Sequence, residues 1–265
     1  MKKFLCILSF LGILTALLFN SSKVFASEMD DFLSEYALVG EKLDEFERNE
    51  RFQISQRGAK EKALDLATLQ EQYEQYRSIG VFDEEITFDL YVQLATTPPP
   101  SDPVIPEFRS VAGNPQAGDI LITNGTSLGG LTGHAGIFLG ELGNGGILSI
   151  QGPGKTPEII GIFTWMQRYG GINKWTKVYR PTSQYKSKAA AQWAINNYQG
   201  KKYNYGINTK IFEKDPTYCS KIVWQAFWHS SAAVQVGGIH QPLIASPYDL
   251  PGYFDKKPSH IVTWQ

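Results

Sequence analysis

Cys219 lies in the segment Tyr218-Cys219-Ser220-Lys221-Ile222-Val223-Trp224-Gln225-Ala226-Phe227, and the chain's other cysteine, Cys6, falls in an apolar N-terminal run. A lone thiol left in an exported chain cannot close an intrachain disulfide. It is either a core residue or a reactive group. Ile222, Val223, Ala226 and Phe227 recur at helical spacing, and Asp215-Pro216-Thr217 reads as a loop running into a helix start. Cys219 is therefore expected in a first helical turn, where the helix dipole and free N–H groups favour a thiolate. Such a nucleophile needs a base, most often histidine. His134 opens a strand among glycines, where a partner can approach closely. His229 follows Cys219 by ten residues on the same helix and faces elsewhere, since each residue turns the helix by about 100°. His240 sits in a Gly-Gly-Ile-His-Gln-Pro loop, and His260 is near the C-terminus. By position His134 leads and His240 is the reserve. The competing reading is that Cys219, which shares a face with apolar residues, is an inert structural cysteine.

The elements that must position these residues divide the chain. Lys2 and Lys3 precede an apolar stretch from Phe4 to Leu18, and Val24-Phe25-Ala26 is a small-residue cleavage pattern. Residues 1–26 are expected to be a signal peptide cleaved near Ala26, giving a secreted or cell-wall-associated protein. An uncleaved membrane anchor is the rival reading, although the run is short for a full span. Residues 27–95 read as a helical N-terminal region: Phe32, Tyr36, Val39, Leu43 and Phe46 form one periodic set. Ala63, Leu64, Leu66, Leu69 and Tyr73 form a second, and Phe88, Leu90, Tyr91 and Leu94 a third. Residues 96–112 begin with Thr96-Thr97-Pro98-Pro99-Pro100-Ser101-Asp102-Pro103, a stiff linker that no helix or central strand can include.

Residues 113–265 change to short strands and glycine turns. Strands are expected at 118–123, 134–139, 147–151 and 177–180, a short helix at 164–168, and a longer one from Ser187 to Tyr198 closed by Gly200. The fold class is α+β. The helical region carries 17 acidic and 7 basic residues and residues 96–265 carry 9 acidic and 15 basic, so the overall charge of −1, which includes three lysines in residues 1–26, hides a split of −10 against +6. The helical region can dock on the basic domain, or the basic part can face an anionic wall or membrane surface. The basic residues are dispersed, which argues against nucleic acid. No His-Glu-x-x-His, paired cysteines, carboxylate cluster, phosphate-binding loop or Gly-x-Ser-x-Gly elbow is present, so no metal or cofactor is expected.

Gly118-Asp119-Ile120-Leu121 followed by His134-Ala135-Gly136-Ile137-Phe138-Leu139-Gly140 resembles the "GDLVFF … HVGIYLG" pattern of NlpC-type cell-wall cysteine peptidases. The stretch from Ala190 to Phe227, with Tyr203-Asn204-Tyr205-Gly206 and Cys219-Ser220-x-x-Val223, resembles that family's cysteine half. Here the cysteine half comes last, as in permuted papain-fold enzymes of the YiiX/YaeF type, with the lecithin:retinol acyltransferases more distant. The resemblance covers about residues 114–227. It implies a circularly permuted papain-like (NlpC-type) catalytic domain behind the small helical region. Cys219 would be the nucleophile and His134 its base. Gln151 would orient the imidazole, with Ser149 as the alternative. Tyr203 would line the oxyanion site beside the Cys219 N–H, and Tyr205 and Tyr218 would contact substrate. Tyr218 stands where the family usually has Asp, and Gln151 is neutral where the family often has His or Glu. The implied activity is an exported Cys-His amide hydrolase acting on cell-wall peptides or small amides. A lipid thioesterase or acyltransferase on the same fold is the alternative, and a non-catalytic wall-binding module the third reading.

Overall fold

The computed structural model describes residues 66–101, 114–125, 133–230 and 239–265. The expected signal peptide, the helical set from Phe32 to Phe46 and most of the linker lie outside the described residues.

Six strands form one antiparallel sheet: β1 (Ile120–Thr123), β2 (His134–Phe138), β3 (Gly146–Ser149), β4 (Glu158–Gly161), β5 (Thr176–Arg180) and β6 (Ser259–Trp264), in the order β4-β3-β2-β1-β5-β6. Among the described residues there are five α-helices: α1 (Leu66–Ser78), α2 (Phe88–Ala95), α3 (Ile162–Tyr169), α4 (Ser187–Tyr198) and α5 (Cys219–His229). The class is α+β.

The central strands are buried on both faces and read as continuous apolar runs. Alternation still sorts them. Ala135, Ile137, Leu148 and Ile150 join a large cluster with α4 and α5, while Phe138, Ile147 and Val178 pack with Trp165 and Tyr169 of α3. A Cβ on Gly136 would sit 2.6 Å from the Ile147 side chain and 2.9 Å from Trp165, so glycine is what lets α3 lie close over β2.

Helix α5 is buried at every position from Cys219 to Phe227. Its polar side chains are used to hold chain. The Gln225 amide donates to the carbonyls of Ile211 and Glu213 at 2.6 and 2.9 Å and accepts from the Tyr198 hydroxyl at 2.5 Å. Lys221 donates to Asn208 at 3.1 Å and to the Pro216 carbonyl at 3.0 Å, and burial pushes its pKa down to about 8. These bonds moor the 207–217 segment, which leads into the cysteine.

The α1–α2 hairpin packs its aromatic face into the same large cluster as α4 and α5. Phe82 makes a parallel bridge to Ile207; the Ile207 N–H donates to the Val81 carbonyl at 2.7 Å, and the Asp83 N–H donates to the Ile207 carbonyl at 3.1 Å. Helix α2 starts at Thr87, whose side chain accepts from the Leu90 N–H, and ends at Thr96, before the prolines.

Two strands were not read from the sequence. β4 is half exposed at the sheet edge, and β6 begins with exposed residues, so neither carries the buried apolar run of the central strands. β3 also starts and stops earlier than expected, which leaves Gln151 two residues past its end.

Candidate functional site

Cys219 is the first residue of α5, after Tyr218 in extended conformation. Its thiol, 5% exposed, lies against the N-terminal end of β2, where the Ala135 N–H donates toward it alongside the N–H groups of Ser220 and of Cys219 itself. Those donors favour a thiolate, but burial outweighs them and the pKa is raised. The expected first-turn placement holds, whereas the expected depression of the pKa does not: desolvation wins over the helix dipole.

His134 precedes Ala135 and is 4% exposed. Its ring stacks on Tyr169 at 4.6 Å between centroids and lies 5.4 Å from Trp165. Burial, reinforced by the Arg168 charge, pushes its pKa down to about 3. Resting His134 is therefore neutral at ordinary pH, and so is the thiol. Ser149 fixes its tautomer. The Ser149 hydroxyl donates its one hydrogen to the Ala135 carbonyl at 2.6 Å and lies 3.0 Å from His134 Nε2. Its proton thus committed, Ser149 accepts from Nε2–H, leaving Nδ1 as the basic nitrogen. Ser149, the alternative to Gln151 for orienting the ring, projects from β3 onto the same face as His134 and makes this contact, while Gln151 lines the cleft just past the strand.

Cys219, His134 and Gln151 line one cleft with a cavity volume of about 30 Å³. Tyr205 and Tyr218 line it too, and burial raises both phenol pKa values. Tyr218 spends its hydroxyl oxygen accepting from the Ala245 N–H at 3.1 Å. Tyr203 is not among the lining residues; its ring packs edge-on against Tyr198 at 5.7 Å. Of the Tyr-x-Tyr pair only the second lines the cleft, although both pack against the large hydrophobic cluster. His240, the reserve base, pairs with Asp255 at 3.0 Å and does not line the cleft. Sequence reasoning missed Trp165 and Tyr169, whose helical spacing marks only a core face. It also missed the 244–247 segment, which completes the cleft. Gly133 fits there for a reason: it has positive φ, and a Cβ on it would lie 2.2 Å from the Tyr248 ring.

Among the described residues no ionised side chain lines the cleft; Leu94, Ile207, Ile244 and Pro247 supply apolar wall. A wider groove of about 520 Å³ elsewhere has its charges already paired, Arg180 with Asp119 at 2.7 Å and Lys188 with Glu141 at 2.5 Å. Among the described residues no His, Cys, Asp and Glu side chains group to hold a metal ion, and no helix is long and apolar enough to cross a membrane.

Residues 86–260, which include every residue of this cleft, match the family described as lipoprotein N-acylation protein LnsA-like. The chain belongs to that family. Its description is of acyl transfer, which favours the lipid acyltransferase alternative over the cleavage of wall peptides, and it implies association with the cell envelope. The chain is also 35% identical over 159 residues to an uncharacterised 30.3 kDa protein of Bacillus thuringiensis, a match covering 56% of this chain and 57% of that relative. No solved structure matches.

Proposed function

We propose that this protein is an envelope acyltransferase that moves a fatty acyl group from a lipid ester to the free amino terminus of a lipoprotein through a thioester on Cys219. One observation carries the reading: a nucleophile and a base share a cleft whose other described lining is uncharged and includes an apolar wall of Leu94, Ile207, Ile244 and Pro247. A charged wall peptide would find no counter-charge there. Family membership supplies the acceptor class. A histidine strand that precedes the cysteine helix in the chain, as a permuted papain-like arrangement requires, supports the finer fold reading.

In the first half-reaction Nδ1 of His134 takes the thiol proton as Sγ attacks the ester carbonyl. Because both groups rest neutral, the proton moves with the attack and no ion pair is stored beforehand. The carbonyl oxygen becomes an oxyanion, and the N–H groups of the first turn of α5 are the donors nearest to receive it. Collapse expels the lipid alkoxide, which leaves with the proton held by His134, and the acyl group stays on sulfur. In the second half the lipoprotein amine attacks the thioester and loses a proton to His134. The amide departs and Cys219 recovers its hydrogen.

The test incubates the purified protein with a phospholipid donor and a synthetic diacylated lipopeptide bearing a free amino terminus. The expected results are a hydroxylamine-labile acyl adduct on Cys219 and an amide product, both lost in Cys219→Ala, with a fall of at least about 10⁴-fold in rate. Cleavage of wall peptides without any acyl adduct would overturn the reading.

A further inference from the structure

Two apolar residues of the cleft depend on chain upstream of the proline run. Leu94 belongs to α2, and Ile207 is tied to the α1–α2 hairpin by its two backbone bonds to Val81 and Asp83. The cavity volume of about 30 Å³ has room for about two water molecules. In so narrow a space one side chain has leverage over what enters. A carbonyl held at the Cys219 thiol must lay its alkyl tail along some wall, and the favourable one is apolar and free of unpaired polar groups.

We propose that Leu94 and Ile207 form the acyl-chain subsite, and that the size of the side chain at position 94 sets the length of chain loaded onto Cys219. The helical hairpin is then part of the specificity apparatus. This rests on the acyl-transfer reading. It goes beyond that reading by assigning the chain-length ruler to a residue far from Cys219 and His134 in sequence.

The experiment uses the full protein and p-nitrophenyl esters of octanoic and hexadecanoic acid. It records nitrophenolate release and the acyl adduct by intact mass. Each methylene that finds apolar wall is worth about a four-fold preference. Leu94→Ala should raise the hexadecanoyl-to-octanoyl ratio of kcat/KM by about ten-fold, and Leu94→Phe should lower it by a similar factor. The ratio is taken within one sample, so a misfolded fraction cancels. A wild-type adduct combined with an unchanged ratio in both variants would overturn the subsite and leave acyl transfer standing. No adduct from the wild type with either ester would take down both.

Discussion

A single hydroxyl bears on the proton chemistry proposed for this site. Ser149 spends its hydrogen on the Ala135 carbonyl and so presents only lone pairs to His134. Ser149→Ala should therefore lower kcat by about 10- to 100-fold with little change in KM, short of the loss from removing the base itself. Gln151→Ala should act mainly on KM, from its place on the cleft lining; equal kcat losses in steady-state assays of both variants would refute the distinction. The depressed pKa of His134 also has a thermodynamic signature. Its folded value of about 3 lies below the ordinary 6.5, so between these values the unfolded chain binds more protons. The contribution of His134 to stability is complete above about pH 6.5 and is lost as the pH falls toward 3, at about 1.4 kcal/mol per unit. Denaturant titrations across that window should show a shallower pH slope for His134→Gln than for the wild type. Cys219 and His134 could be picked from the sequence because their types and flanking glycines and helix signals are local. The contact of Ser149 with His134 could not, because it turns on where β3 ends, and strand ends are set by pairing with β4 and β2.

At the scale of elements, the hairpin and the cysteine helix are joined through Ile207. Phe82 sits among Tyr73, Tyr76 and Tyr91, with ring centroids 5.9, 5.4 and 5.3 Å away, and its backbone bridges to Ile207. Phe82→Ala should cost about 3–5 kcal/mol and weaken acyl transfer along with stability, measured by chemical denaturation and by the adduct assay on the same samples. Helices α1, α2, α4 and α5 were legible because their apolar positions repeat at three and four and their ends carry Thr, Gly or Pro. The amphipathic α3 was read two residues short at its start and one short at its end. β4 and β6 were not legible, since an edge strand that buries few residues looks like a loop until a neighbour pairs with it.

At the scale of the whole molecule, residues on both sides of the prolines share one hydrophobic cluster. Thermal unfolding followed by tryptophan fluorescence and by far-ultraviolet circular dichroism should therefore give one coincident transition; a separate early melting of the helical signal would contradict this. A hairpin that supplies cleft wall is needed for the reaction: removing residues before Thr96 should abolish adduct formation. The buried thiol carries a last consequence. A free cysteine at the cell envelope meets peroxide and stray mixed disulfides, and both reactions require an accessible thiolate. Cys219 offers neither accessibility nor resting charge, since it is 5% exposed and its pKa is raised. The arrangement proposed to delay its ionisation until a substrate carbonyl arrives would thus also preserve it, keeping the thiol reduced between turnovers.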